Sequence, residues 1–280
     1  TGAPSSNSGN NIFVYYLFRT VGTVSHPSNN ALSASTGTFS DAVTINDGDA
    51  GSVTANTVAD ELVVESSGAG GMSILTPDAS DANLFLGGPG TNAGAIVRWN
   101  DDSNLMSVGT NNSGGTMALK IGGFTDALTI DANGHILKPL QPAFCATPSA
   151  NLENFAINQY NNVDFASERF DRNADYNAGG APTSFTAPVT GVYQLNFHLY
   201  ILSVDTAATY FQFSILTSNK EYTSIVDPNF SGDLGYYHMN LSVLADMDAN
   251  DQAYVRVYQA GGTAQMDVAG NSSFSGYLVA

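Results

Sequence analysis

Between Ala42 and Ile130 apolar residues come only in short pieces, and that spacing constrains the fold of this chain more than any other feature. Ala42–Ile45, Glu61–Val64, Met72–Leu75, Asn83–Leu86, Gly94–Trp99, Asn104–Val108, Met117–Ile121 and Ala127–Ile130 are separated by Gly, Asn, Asp and Ser turns such as Gly87-Gly88-Pro89-Gly90. Each piece reads as a β-strand too short to bury much by itself. Disorder is no alternative, because a chain with 15 Phe and 13 Tyr has ample surface to bury. Three chains winding round one axis, each donating one face to a shared core, solve the problem. The expectation over 39–138 is therefore a trimeric, elongated β-prism or β-helix-like shaft.

Composition supports an all-β chain. Only 12% of the residues are charged, so Lys, Glu and Arg, which favour helices, are scarce, while residues that punctuate strands abound. Net charge is −17 with eight Lys and Arg, of which only Arg169 and Arg172 lie close together. A phosphate-tracking surface needs clustered cations, so nucleic acid is excluded as a partner, and anionic lipid is disfavoured for the same reason. The longest apolar run, Ile12–Phe18, is far too short for a bilayer span and lacks the flanks of a signal peptide, so no membrane insertion is expected. Thr1 in place of a starting Met reads as processing, or as a cut from something longer whose N-terminal part attaches elsewhere.

Residues 1–10 read as a flexible lead-in, and 1–38 as an adaptor segment containing one strand over Ile12–Phe18. The joint Lys138-Pro139-Leu140-Gln141-Pro142 marks a boundary, since Pro interrupts ladders. Beyond it, over 139–280, the strands lengthen. Tyr193, Leu195, Phe197, Leu199 and Ile201 alternate with Gln194, Asn196, His198 and Tyr200, and Phe211, Phe213 and Ile215 alternate with Gln212 and Ser214. Met239, Leu241 and Val243, then Val255 and Val257, then Phe274, Gly276 and Leu278 repeat the period of two. Such strands with turns between them predict a sandwich of antiparallel sheets.

Catalytic constellations are hard to assemble. His26, His135, His198 and His238 are isolated, with no metal-ligand spacing, and His198 reads as a surface or subunit-interface residue. Cys145 is the only cysteine; it excludes an intrachain disulfide and reads as a small apolar residue rather than a nucleophile. Asp101-Asp102 reads as a solvated turn rather than a pair of glycosidase carboxylates. The expectation is no enzyme and no required cofactor. Calcium is the one candidate ion, because Asp-bearing loops with backbone carbonyls suit a hard cation; Asp227, Asp233 and Asp267 are its candidate ligands.

Two resemblances follow. Asn83–Gly88, Gly94–Trp99, Asn104–Met106, Met117–Ile121 and Leu128-Thr129-Ile130-Asp131-Ala132-Asn133-Gly134-His135-Ile136 occur in an order that resembles the shaft repeats of phage tail fibres and trimeric spikes. The span from Pro142 to Ala280 resembles the globular head of the complement C1q family, which shares the tumour-necrosis-factor jelly roll. Its carriers are Pro142–Ala146, Asn173–Tyr176, Phe185–Tyr193 with Phe197, Asn250–Val255 and Phe274–Leu278. Asn250 stands where that family has Gly, a departure that Asn tolerates at a positive-φ turn. The family's collagen stalk is missing, and the fibre-like segment takes its place.

Both resemblances imply a homotrimer. The second also implies that strand 191–202 runs away from the stalk, which places the connections 203–208, 227–235 and 260–271 at the distal apex. Asp205, Asp227, Asn229, Phe230, Asp233, Tyr236, Gln265 and Asp267 are then the candidate receptor-binding residues. The function expected is host attachment by a virion tail fibre or spike, through a cell-surface glycan or protein, with other tail proteins held by the N-terminal part. The alternative is a secreted trimeric adhesion or structural module whose head acts mainly as a trimerisation domain.

Overall fold

The computed structural model describes residues 42–280. The strand expected at Ile12–Phe18, His26 and the adaptor segment 1–38 lie outside the described residues. The chain forms two compact units, one ending at Thr76 and the other running from Pro77 to Ala280.

In the first unit β1 (Val43–Asp47) and β2 (Leu62–Ser66) pair in parallel, with Val43 opposite Leu62. Met72–Leu75, expected as a strand, is irregular instead. Gly70-Gly71 before it and Pro77 after it deny it the flanking residues that hold a ladder.

The second unit begins with two small antiparallel sheets. β3 (Asp81–Gly88), β4 (Thr91–Asn100) and β5 (Leu105–Thr110) form one meander, and β6 (Met117–Ile121), β7 (Thr125–Ile130) and β8 (Ile136–Leu137) form the other. The turn after β7 shows why Asp and Gly are needed there. The Asp131 carboxylate accepts the backbone N–H of Asn133 and of His135 at 2.8 and 2.9 Å, and it meets the His135 ring at 2.9 Å. Gly134 supplies a φ of 85°. The His135 contact and these backbone bonds hold the Asp131 carboxyl below its ordinary range.

From Pro142 onward the chain builds a sandwich. Its strands are β9 (Ala143–Thr147), β10 (Tyr160–Asn162), β11 (Ser167–Arg172), β12 (Tyr176–Asn177), β13 (Ser184–Thr186), β14 (Gly191–Val204), β15 (Ala208–Thr217), β16 (Glu221–Val226), β17 (Leu234–Met247), β18 (Gln252–Gly261), β19 (Asp267–Val268) and β20 (Ser273–Leu278). One sheet runs β11-β9-β20-β14-β17, with β19 also on β14; the other runs β12-β13-β18-β15-β16, with β10 also on β18. The period of two delivers the core. Tyr193, Leu195, Phe197, Leu199 and Ile201 are buried from one sheet, and Phe211, Phe213, Ile215, Val255 and Val257 from the other.

Two sequence details acquire geometric reasons. A Cβ at Gly276 would lie 2.7 Å from Leu195 Cδ2 and 2.8 Å from Phe144 Cε1, so the missing side chain lets the β9 ring fit. Asn250 has a φ of 75°, the left-handed conformation expected where it replaces Gly.

Every buried hydrophobic side chain among the described residues lies between Phe144 and Phe274. By contrast Leu84, Leu86, Trp99, Met106 and Val108 of the first meander are each between 42% and 63% exposed.

One half-buried carboxylate is poorly served. Asp175 Oδ2 is shielded from solvent without a hydrogen-bond partner, and burial, with the Asp171 charge adding to it, pushes its carboxyl up. A raised folded-state value favours the protonated form, so this group's contribution to stability is present below the ordinary carboxylate value and is lost as pH rises through the folded value. Asp175→Asn should therefore raise the melting temperature at about pH 7, with the gain vanishing near about pH 3. Thermal melts of both proteins across that range check it; a variant that melts lower at neutral pH would show that the ionised carboxylate is favoured.

Candidate functional site

The chain enters the sandwich at one end. Leu278 donates its backbone N–H to Pro142 O at 3.1 Å, and Val192 donates to Ala280 O at 2.8 Å, so the entry, the last residues and the start of β14 lie together. β14 then runs its full length to Val204, which pairs with Leu234 at the start of β17. The connections 205–207, 227–233 and 262–266 therefore cluster at the opposite end.

Buried polar side chains hold this apex together. Asp205 is 2% exposed and Gln259 is fully buried. The Asp205 carboxylate accepts the backbone N–H groups of Thr263, of Ala264 at 2.8 Å and of Ala207 at 2.7 Å. The bonds from Ala264 and Thr263 hold its carboxyl below the ordinary range. Gln259 donates to Ala264 O at 2.6 Å and to Gly261 O at 3.2 Å, while its Oε1 accepts the Met266 N–H at 3.1 Å. Gly262, at φ 95°, lets this loop approach, because a Cβ there would lie 2.6 Å from Asp205 Oδ2.

The other expected residues fall into two groups. Asp227, Asn229, Phe230, Asp233 and Gln265 are on the surface of the apex. Of these, Asp233 ties its loop to the neighbouring one, its Oδ1 accepting the Thr206 N–H at 2.9 Å and the Thr206 hydroxyl at 2.6 Å. Asp267 is half-buried, accepting the Asn154 N–H at 2.7 Å and the Ser203 hydroxyl at 3.2 Å. Tyr236 belongs to the outer face of β14 and β17, where its ring lies 5.7 Å from that of Tyr200.

Two expectations are thereby corrected. Asp205 offers no face to a ligand, since its carboxylate is buried and engaged in joining two loops. Asp227, Asp233 and Asp267 do not converge as calcium ligands; among the described residues no three His, Cys, Asp or Glu side chains are grouped to hold a metal ion. The carboxylates of Asp233 and Asp267 are instead engaged with neighbouring loops. Sequence reading missed Gln259, which sits on the inward side of its strand and could have been singled out as the polar residue in the alternation Val255, Val257, Gln259. Cys145 is half-buried on the outer face rather than in the core, and burial pushes its thiol up, away from nucleophilic use.

Residues 143–279 match the family model of the C1q domain. Among solved structures, the globular domain of zebrafish complement 1qA protein is 16% identical with a TM-score of 0.37, the match covering 50% of this chain and 98% of that one. Murine APRIL is 10% identical with a TM-score of 0.37, over 50% of this chain and 99% of that one. The PRD1 vertex protein P5 is 9% identical with a TM-score of 0.36, over 50% of this chain and 96% of that one. No curated protein sequence matches the chain. The residues that build the all-β sandwich are those that match the C1q domain, and the two antiparallel sheets form a C1q-like jelly roll. Such domains are commonly homotrimers, are typically extracellular, and are typically structural or ligand-binding modules rather than enzymes. No helix among the described residues is long and apolar enough to cross a membrane.

Proposed function

We propose that this chain is the receptor-binding protein of a bacteriophage tail fibre or spike, a homotrimer whose head attaches to a host cell-surface glycan or protein through its apical loops. The observation that carries this reading is the contrast in burial along the chain. The head has a core of its own, whereas no described residue before Pro142 is buried and large apolar side chains there face solvent. Such a segment needs copies of itself, as the shaft of a fibre does. The outward side of β14, β17 and β20 supports a trimer through the head as well. From Gln194 to Leu202, and on the paired positions from Tyr236 to Leu244, it carries no Asp, Glu, Lys or Arg, in a chain whose net charge is −17. Depletion of charge is the compositional mark of an interface core.

Receptor contact falls on the apex because the entry of the chain and its last residues occupy the other end. Phe230 is 38% exposed there, next to Asn229 in the chain, and Gln265 is exposed on another connection of the same end. An exposed aromatic ring and exposed amides at one end of the sandwich suit a ligand that needs stacking and hydrogen bonds together. Replacing Asn229, Phe230 and Gln265 by Ala leaves the bonds of Asp205, Asp233 and Gln259 untouched. Loss of such an anchor should weaken each site by about 30-fold, and three sites per trimer multiply the effect on adsorption to host cells. Unchanged adsorption by a correctly sized, normally melting variant would remove the apex from the proposal.

A further inference from the structure

The outer face of the second sheet carries an organised aromatic platform, on the strand ends next to the apical connections but outside those connections themselves. Tyr160 on β10, Tyr258 on β18, Gln212 on β15 and Ile225 on β16 stand in register, one beside the next across four strands. Ring centroids of Tyr160 and Tyr258 are 5.0 Å apart, and Tyr210 stacks on Tyr258 at 5.8 Å with 23° between the planes. Tyr160 is 49% exposed at one end of the row and Ile225 62% exposed at the other. At strand spacing the row spans about 14 Å, the scale of an oligosaccharide segment rather than a single ring.

Its side chains are held in place before any ligand arrives. Arg256 lies over the Tyr160 ring, 3.9 Å from centroid, and donates Nε and a terminal nitrogen to Glu221 at 3.2 and 2.7 Å. Gln212 Nε2 donates to the Glu221 carboxylate at 3.1 Å and reaches the Tyr160 hydroxyl at 3.4 Å. Side chains already fixed lose little conformational entropy on binding.

We propose that this lateral face is a second binding site, which takes a neutral saccharide. Aromatic rings offer flat apolar faces to sugar C–H groups, and the tyrosine hydroxyls and Gln212 supply hydrogen bonds at the rim. The charge state selects the class. Arg256, the cation of the platform, is already paired twice by Glu221, so no free positive charge awaits a carboxylated or sulfated glycan, and the net charge of −17 opposes one. The biological source of the saccharide, a host cell surface, rests on the attachment reading; the site itself does not.

The test is saturation-transfer NMR on the full chain. The probes are neutral methyl glycosides of glucose, galactose and mannose with their β- and α-linked oligosaccharides, and a sialylated and a uronic-acid oligosaccharide serve as anionic comparators. The expected result is transfer to the ring protons of at least one neutral saccharide. Tyr160→Ala with Tyr210→Ala should cut that signal about tenfold. Ile225→Glu, at a position 62% exposed, should also reduce it, and Tyr258→Phe should retain it. The Asn229/Phe230/Gln265 alanine variant should transfer normally. Absence of transfer from every neutral probe overturns the proposal, as does a signal indifferent to the tyrosine variants, a signal lost only in the apical variant, or transfer confined to the anionic probes. A shift of sizing by the tyrosine or Ile225 variants away from the wild-type mass also overturns it, by making the face a protein contact. Adsorption of the apical variant judges the attachment reading separately.

Discussion

Phe144→Ala is expected to cost the head about 3–5 kcal/mol, the range for truncating a buried aromatic side chain. The Phe144 ring is stacked on Phe185 at 4.7 Å and on Tyr176 at 5.0 Å, and meets the edge of Phe274 at 5.0 Å, so both sheets and the connecting strands close on it. It is 1% exposed, so truncating it opens a void among the surrounding rings. Denaturant melts at one fixed protein concentration measure the loss, since association adds its own stability. Phe144→Leu keeps most of the volume and should cost much less. Gly276→Ala attacks the same contact from the opposite strand, with its Cβ 2.8 Å from the Phe144 ring and 2.9 Å from Gln194 O. The double variant should therefore lose less than the two single changes added together, because removing the ring relieves part of the clash. A loss below about 1 kcal/mol for Phe144→Ala would place that ring outside the core.

Most of this core was legible because strands bury alternate residues. Gly191–Leu202 announces its register with five apolar side chains in a row of two, and the structure buries Tyr193, Leu195, Phe197, Leu199 and Ile201 while Gln194, Asn196 and His198 face outward. Short strands carry no such signal. Tyr160–Asn162 is three residues, and its partner in the aromatic platform, Tyr258, is almost a hundred residues further on, so only tertiary pairing brings them together. Met72–Leu75 failed for the converse reason. An apolar string looks the same whether or not another strand lies alongside, and a ladder needs both.

The apical loops show where residue type misleads. Asp205 and Asp233 look alike in sequence, each in a polar connection, yet one carboxylate is sealed under a loop and the other remains on the surface. Turn chemistry explains it: Asp205 closes an Asx turn on Ala207, and a carboxylate already bonding local N–H groups is well placed to take those of a crossing loop. Which acidic residues stay free for a ligand was decided by that crossing, not by spacing along the chain.

Val97→Lys is expected to open the first meander while the head stays folded. In register, Leu84, Val97 and Val108 form one row of a sheet face, and Ala82, Trp99 and Met106 form the next. The reverse face carries Asn83, Arg98 and Ser107, with Arg98 3.5 Å from Asp81 and Asn100 bonded to Asp81 at 2.6 Å. One chain thus leaves the apolar side open, with Val97 itself 38% exposed at its centre. If three copies close those faces on one another, the lysine places an ammonium group in a shared interior, once for each chain. An unpaired buried charge costs several kcal/mol, which corresponds to opening that is easier by on the order of a hundredfold to a thousandfold. Hydrogen exchange reads this directly, as lost protection of the backbone amides of 81–110. Ser107→Lys, on the polar face of the same sheet, should leave protection close to wild type, and amides of β14 should be unaffected by either change. Light scattering of the wild-type chain should report three copies. A monomeric wild type, or equal protection in the Val97 and Ser107 variants, would mean that the exposed face stays in water and that the three-chain core does not form.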